Sequence, residues 1–101
     1  MSRTAVTMVR VYLTEASGKL PGLMRYLHDE SKVHGVTVFR GITGFGRSGK
    51  MLSSSLLDMS LDLPLVIEFF DVPERVDEIL EHLEGEVEPG HIVSWSAFVS
   101  A

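Results

Sequence analysis

No cysteine occurs among the 101 residues. That excludes disulfides and thiolate metal ligands and fits a reducing cytoplasm. No apolar run approaches the eighteen or so residues that a membrane-spanning helix needs, and Met1–Thr7 lack the apolar core of a signal peptide. The expectation is a cytoplasmic protein without direct membrane insertion. Positive charge is also short, with 9 Lys and Arg against 14 Asp and Glu and a net charge of −5. The deficit is local: residues 68–88 carry nine acidic side chains and Arg75 alone as a cation, whereas residues 1–57 carry eight basic and three acidic ones. A nucleic-acid binder concentrates cations along one surface, so an acidic C-terminal half argues against that class.

What is present is ordinary globular composition, 45% apolar and 23% charged, and the length suits one domain over residues 1–101. Val6–Thr14 alternates as a strand, with Ala5, Val9, Val11 and Leu13 on one face and Val6, Met8, Arg10 and Tyr12 on the other. Pro21 and the spacing of Leu20, Leu23, Met24 and Leu27 predict a helix running to about His34, with Gly35 as its stop. Val36–Ile42 is a β-branched and aromatic run and so a second strand. After an irregular stretch, Leu65–Phe70 is a third strand, and a second helix follows with Asp71 as its cap and Glu74 completing a box-like arrangement. Gly85–Gly90 is a turn and Ile92–Val99 the last strand.

The order βαββαβ predicts an α+β, ferredoxin-like fold: a four-stranded antiparallel sheet with two helices on one face. The other face, with Met8, Tyr12 and Trp95, would be a large exposed apolar surface, so another subunit is expected to cover it. The first and third strands are neighbours in this order, which sets Arg10 beside Glu68 on that face. Arg10, Tyr12, Glu68 and Trp95 are therefore the expected oligomer interface.

The chemistry concentrates at the end of the second strand. Gly44-Phe45-Gly46 lets the backbone turn and approach a ligand closely, and Arg47 and Lys50 follow at once. Exposed N–H groups beside positive charge suit an anion such as phosphate. An ordinary glycine-rich loop reads the same way.

These residues resemble a family. Gly35-Val36-Thr37-Val38, followed by Gly44-Phe45-Gly46-Arg47, is similar to the second strand and T-loop entry of PII nitrogen-signalling proteins. With Asp62-Leu63-Pro64-Leu65-Val66-Ile67-Glu68, the chain is similar over nearly its whole length to the PII-like domain-of-unknown-function family 190. The resemblance implies a ferredoxin-like homotrimer with sheets packed inward and a long T-loop-like segment at about 45–63. It also implies inter-subunit clefts for an adenine nucleotide (AMP, ADP or ATP) and a membrane transporter or channel partner, a fluoride exporter by family association. Position by position, Gly44, Gly46 and Arg47 match the PII loop that approaches nucleotide phosphates, and Gly85–Ile92 match the second nucleotide-binding turn in length. There Gly90 is kept, but Glu88 stands for a glycine and His91 for a lysine.

The expected nucleotide-binding set is thus Gly44, Gly46, Arg47, Lys50, Gly90 and His91. Met51, Leu52, Leu56, Leu57 and Met59 either contact a partner or pack on the trimer itself. The function expected is non-enzymatic regulation, with no cofactor required. Two alternatives stay open. A cofactor-free monooxygenase-type enzyme would use Trp95 and His91 in an apolar pocket. A CutA-like metal-binding trimer would draw on His28, His34, His82 and His91, of which His82 sits one helical turn from Glu78, although no compact set of three ligands is evident.

Overall fold

Period-two alternation in the first strand creates the layer on which everything else rests. The computed structural model describes residues 2–53 and 62–100. Strand β1 spans Arg3–Thr14, and Val9, Val11 and Leu13 on one of its faces are buried. Strand β5, Pro64–Asp71, alternates in the same way, burying Leu65, Ile67 and Phe69. The antiparallel register sets Val9 opposite Phe69, Val11 opposite Ile67 and Leu13 opposite Leu65, so both apolar sets share one face. Strands β2 (Val36–Arg40) and β6 (Ile92–Ser100) complete a four-stranded antiparallel sheet in the order β2-β5-β1-β6.

Two helices cover that face. Helix α1, Leu20–Arg25, buries Leu23, and its continuation Tyr26–Glu30 buries Leu27. Helix α2, Pro73–Glu84, buries Val76, Ile79 and Leu83 at helical spacing. These side chains and the inward residues of β1 and β5 form one core cluster. Each fully buried aliphatic contributes about 1.5–3 kcal/mol of transfer free energy. The α+β ferredoxin-like arrangement expected from the sequence is the one observed, with β1 and β5 as neighbours.

Three local features differ from expectation. The first helix ends well before His34. Its last turn widens into a π-helical segment at Tyr26–Glu30, where Ser31 N–H bonds to Tyr26 O at 2.9 Å and the Ser31 hydroxyl to Leu27 O at 3.1 Å. The left-handed residue that redirects the chain is Lys32, at φ 52°, rather than Gly35. Asp71 is the last residue of β5 and does not cap α2. Val72 is the N-cap and Pro73 opens the helix, while the Asp71 carboxylate accepts from Val72 N–H at 2.7 Å and from Arg75 at 3.0 Å. Finally, the expected second strand stops at Arg40. A separate two-stranded hairpin follows, β3 (Thr43–Phe45) paired with β4 (Met51–Ser53), in a region whose sequence suggested no such pairing.

Pro64 explains the break between β2 and β3. Gly41 N–H bonds to Pro64 O at 2.8 Å, and a Cβ on Gly41 would lie 2.7 Å from Pro64 Cγ. A Cβ on Gly44 would meet the same ring at 3.3 Å. Gly46 faces open space and has no left-handed φ. Gly41→Ala is therefore expected to lower stability by about 1–3 kcal/mol through overpacking, read as a lower Tm, whereas Gly46→Ala should leave Tm nearly unchanged. Equal melting of the two variants would remove Pro64 from this account.

Candidate functional site

The two glycine-bearing segments, distant in sequence, meet at one end of the sheet. The first is the β3–β4 connection. Gly49 N–H bonds to Gly46 O at 3.0 Å, closing a turn with Arg47 and Ser48 at its centre, and Gly49 takes φ 77°. The second is Glu88-Pro89-Gly90-His91. Proline at the second position, Gly90 at φ 88° and a His91 N–H to Glu88 O bond of 3.2 Å make it a type II turn. A Cβ on Gly90 would lie 3.3 Å from an Arg47 guanidinium nitrogen, so the glycine lets the arginine lie against the turn.

Between them is a cleft of about 520 Å³. Leu13, Leu52, Pro64 and Val66 give it apolar walls. Thr14 and Thr43 add hydroxyls, and Arg47, Gly90 and His91 line it as well. His91 is tied to β1 by a reciprocal pair of bonds: Tyr12 N–H donates to His91 O at 2.8 Å, and His91 Nδ1 lies 3.1 Å from Tyr12 O. Its Nε2 is 3.9 Å from the Glu88 carboxylate. The arrangement pairs an apolar surface, able to take a flat ring, with one permanent cation and one titratable donor for an anionic end.

Of the residues singled out from sequence, Gly44, Gly46, Arg47, Gly90 and His91 all line this cleft, and Lys50 does not. Gly44 also packs against Pro64, where a Cβ would lie 3.3 Å from the ring, a role the sequence did not suggest. Tyr12, expected at a subunit interface, lines the cleft too. Thr14, Thr43 and Pro64 were missed. The Pro-Gly pair at 89–90 is the signal that locates the second turn, and the antiparallel register that sets Val11 opposite Ile92 brings Tyr12 to His91 beside it.

The loop's apolar residues divide. Leu52 is buried and lines the cleft. Met51 is exposed and stands opposite exposed Phe45 in the hairpin register, with Ile42 85% exposed just before it. Leu56, Leu57 and Met59 lie outside the described residues.

On the sheet face away from the helices, Arg10 donates to Glu68 at 2.6 Å. Its guanidinium lies 5.9 Å from the ring centres of both Phe39 and Trp95. The Glu68 bond chiefly raises the Arg10 pKa above its ordinary value, and a bond to Tyr12 adds to it. Trp95 does not line the cleft that holds His91, so the pocket that an oxygenase reading needs is not assembled from those two residues. His82 stacks on Tyr26 with ring centres 3.7 Å apart, and among the described residues no three His, Asp or Glu side chains gather as metal ligands. No described helix is long and apolar enough to cross a membrane.

Comparison with known proteins gives a consistent pattern. The family model DUF190, described as "Uncharacterized ACR", matches residues 6–99. A UPF0166 protein of Methanocaldococcus jannaschii is 30% identical over 81 residues, covering 75% of this chain and 73% of that protein. One from Aquifex aeolicus is 32% identical over 65 residues, covering 61% of this chain and 62% of that protein, less than two thirds of its length. Among solved structures, CPII from Thiomonas intermedia K12, a nitrogen regulatory PII-like protein, superposes with a TM-score of 0.77 at 20% identity. The match covers 99% of this chain and 92% of that one, in a structure bound to ADP, AMP and bicarbonate. A second CPII structure, bound to ADP and bicarbonate, gives 0.73 at 22% identity over 99% and 93% of the two chains. At these identities the likeness establishes the fold, which is PII-like.

Proposed function

The chain belongs to the DUF190 family, and from that membership and the cleft's geometry we propose that it is a non-enzymatic, PII-like regulatory protein that binds an adenine nucleotide. The observation that carries the reading is the convergence of Arg47, Gly46, Gly90 and His91, from opposite halves of the chain, around a cleft with apolar walls. The adenine ring lies against the apolar wall and the phosphates reach Arg47 and the two turns, where backbone and guanidinium donors suit phosphate oxygens. That CPII binds ADP and AMP supports the choice of ligand.

The working unit in this proposal is a trimer in the cytoplasm. The sheet face opposite the helices carries Met8, Phe39, Val66, Phe70 and Trp95 around the Arg10–Glu68 pair, and packing it against neighbouring copies removes a surface otherwise prone to non-specific association. Each cleft then lies beside an adjacent subunit. Arg47 sits in the turn joining β3 to β4, so a phosphate that holds Arg47 also holds the hairpin. The hairpin's outer side presents Ile42, Phe45 and Met51 to a partner, a transport or metabolic protein by family association. The nucleotide changes that contact only by binding one hairpin arrangement more tightly than another.

Calorimetry with AMP, ADP and ATP on the purified protein tests the nucleotide, and light scattering tests the trimer. Saturable binding at one site per subunit is the expected result. A trimer that binds none of the three would retain the scaffold and remove the sensor.

A further inference from the structure

We infer that His91 is a proton-gated anion contact, so that nucleotide binding in the cleft takes up a proton at His91 Nε2. The inference deepens the nucleotide reading of the cleft and rests on it.

His91 Nδ1 lies 3.1 Å from Tyr12 O, and a backbone carbonyl only accepts hydrogen bonds. The proton of a neutral ring is therefore on Nδ1, held there by the same residue whose N–H bonds back to His91 O at 2.8 Å. Nε2 is left with a bare lone pair. A lone pair facing a phosphate oxygen is repulsive, so neutral His91 cannot hold an anion through this atom. The ring cannot simply exchange its proton between nitrogens without abandoning the Tyr12 bond.

Protonation reverses the sign. With a proton from solvent on Nε2, the imidazolium keeps its bond to Tyr12 and gains a second, charged donor. Among the described residues, the charged and titratable groups around it are Glu88 from its own turn, 3.9 Å from Nε2, Arg47 against the neighbouring Gly90 and Tyr12 on β1. Glu88 attracts the imidazolium from 3.9 Å, too far to accept a hydrogen bond from Nε2. Arg47 opposes protonation until a phosphate lies between the two cations. An arriving phosphate therefore satisfies Arg47 and His91 together, which couples ligand uptake to proton uptake. Histidine is the side chain whose charge ordinarily changes between pH 5 and 8, so pH 8 and pH 6 are the values to compare. A lysine at this position would supply the same donor at every such pH.

Two measurements test this. Long-range 15N correlation spectra of the free protein at pH 8 should show His91 with the proton on Nδ1. A proton on Nε2 overturns the inference without reference to any ligand. ADP titrations at pH 8 and pH 6 then read the coupling. Because the terminal phosphate of ADP titrates in the same range, the wild type is compared with His91→Gln and His91→Lys. From pH 8 to pH 6 the wild-type affinity should rise by about tenfold more than that of His91→Gln. His91→Lys should bind tightly at both values, with no pH dependence beyond that of ADP itself. An equal rise in wild type and His91→Gln overturns the inference while leaving nucleotide binding in place. Failure of the wild type to bind ADP at either pH removes the nucleotide reading and this inference together.

Discussion

Glu68→Lys is expected to convert the proposed trimer into a monomer at concentrations where the unmodified protein assembles. Glu68 stands directly opposite Arg10 in the β1–β5 register and accepts its hydrogen bond at 2.6 Å. The substitution sets two cations face to face in the centre of the open sheet surface. In the isolated chain the cost is modest, because both side chains are partly exposed and solvent screens them. In the proposed assembly the same two charges would be withdrawn from water without a counter-charge, and breaking a desolvated pair in this way is far more damaging than breaking an exposed one. The variant should thus keep its secondary structure and most of its thermal stability while losing its partners. An Arg10→Glu, Glu68→Arg double exchange restores opposite charges in the same register and should recover much of the assembly. Sedimentation velocity across a dilution series measures both. A trimeric Glu68→Lys variant would place the pair outside the interface. A monomeric unmodified protein would remove the interface itself.

That pair also shows how much the sequence carries. Alternation along β1 and β5 assigned each residue to a face, and the βαββαβ order made the two strands neighbours, so Arg10 and Glu68 were expected beside each other and are. The two motifs behind the family resemblance prove to be in contact, Gly41 and Gly44 packing on the ring of Pro64. The sequence suggested a ligand's approach for Gly44, whereas the structure also gives it a packing role.

What stayed hidden follows from length and from distance. Strands β3 and β4 have three residues each, too few for a period of two to stand out, and β3 contains a glycine. Leu52 therefore looked like part of an apolar loop, when pairing with Gly44 turns it into the cleft. The early end of α1 depends on a widened turn and on a left-handed Lys32, neither of which has a propensity signature. Asp71 had the composition of a cap, but β5 runs one residue further than expected and its carboxylate is engaged by Arg75. The resemblance singled out Gly44, Gly46, Arg47 and Gly90, and Tyr12 and Thr43 join them at the cleft through register and turn geometry alone.

Arg47→Ala should weaken ADP binding by roughly ten- to hundredfold, the equivalent of the 1.5–3 kcal/mol typical of a hydrogen bond to a charged group. Among the described residues, Arg47 is the one Lys or Arg side chain lining the cleft. The second turn, where another cation would help, instead carries Glu88, so in the proposed complex the phosphate's charge would fall mostly on this guanidinium. Arg47→Lys should recover only part of the loss, because an ammonium keeps the charge and loses the planar fork that engages two oxygens at once. Lys50→Ala separates specific contact from general attraction: its side chain is outside the cleft lining, so its removal should change affinity by no more than about threefold, an effect that fades with salt. Thermal stability should be unchanged in all three variants, since Arg47 and Lys50 are exposed in the β3–β4 connection. Equal losses from Arg47→Ala and Lys50→Ala would mean that the nucleotide responds to the basic charge of the hairpin as a whole and occupies no defined place against the Gly90 turn. A loss confined to Arg47 is what a phosphate held between that arginine and the Gly90 turn requires.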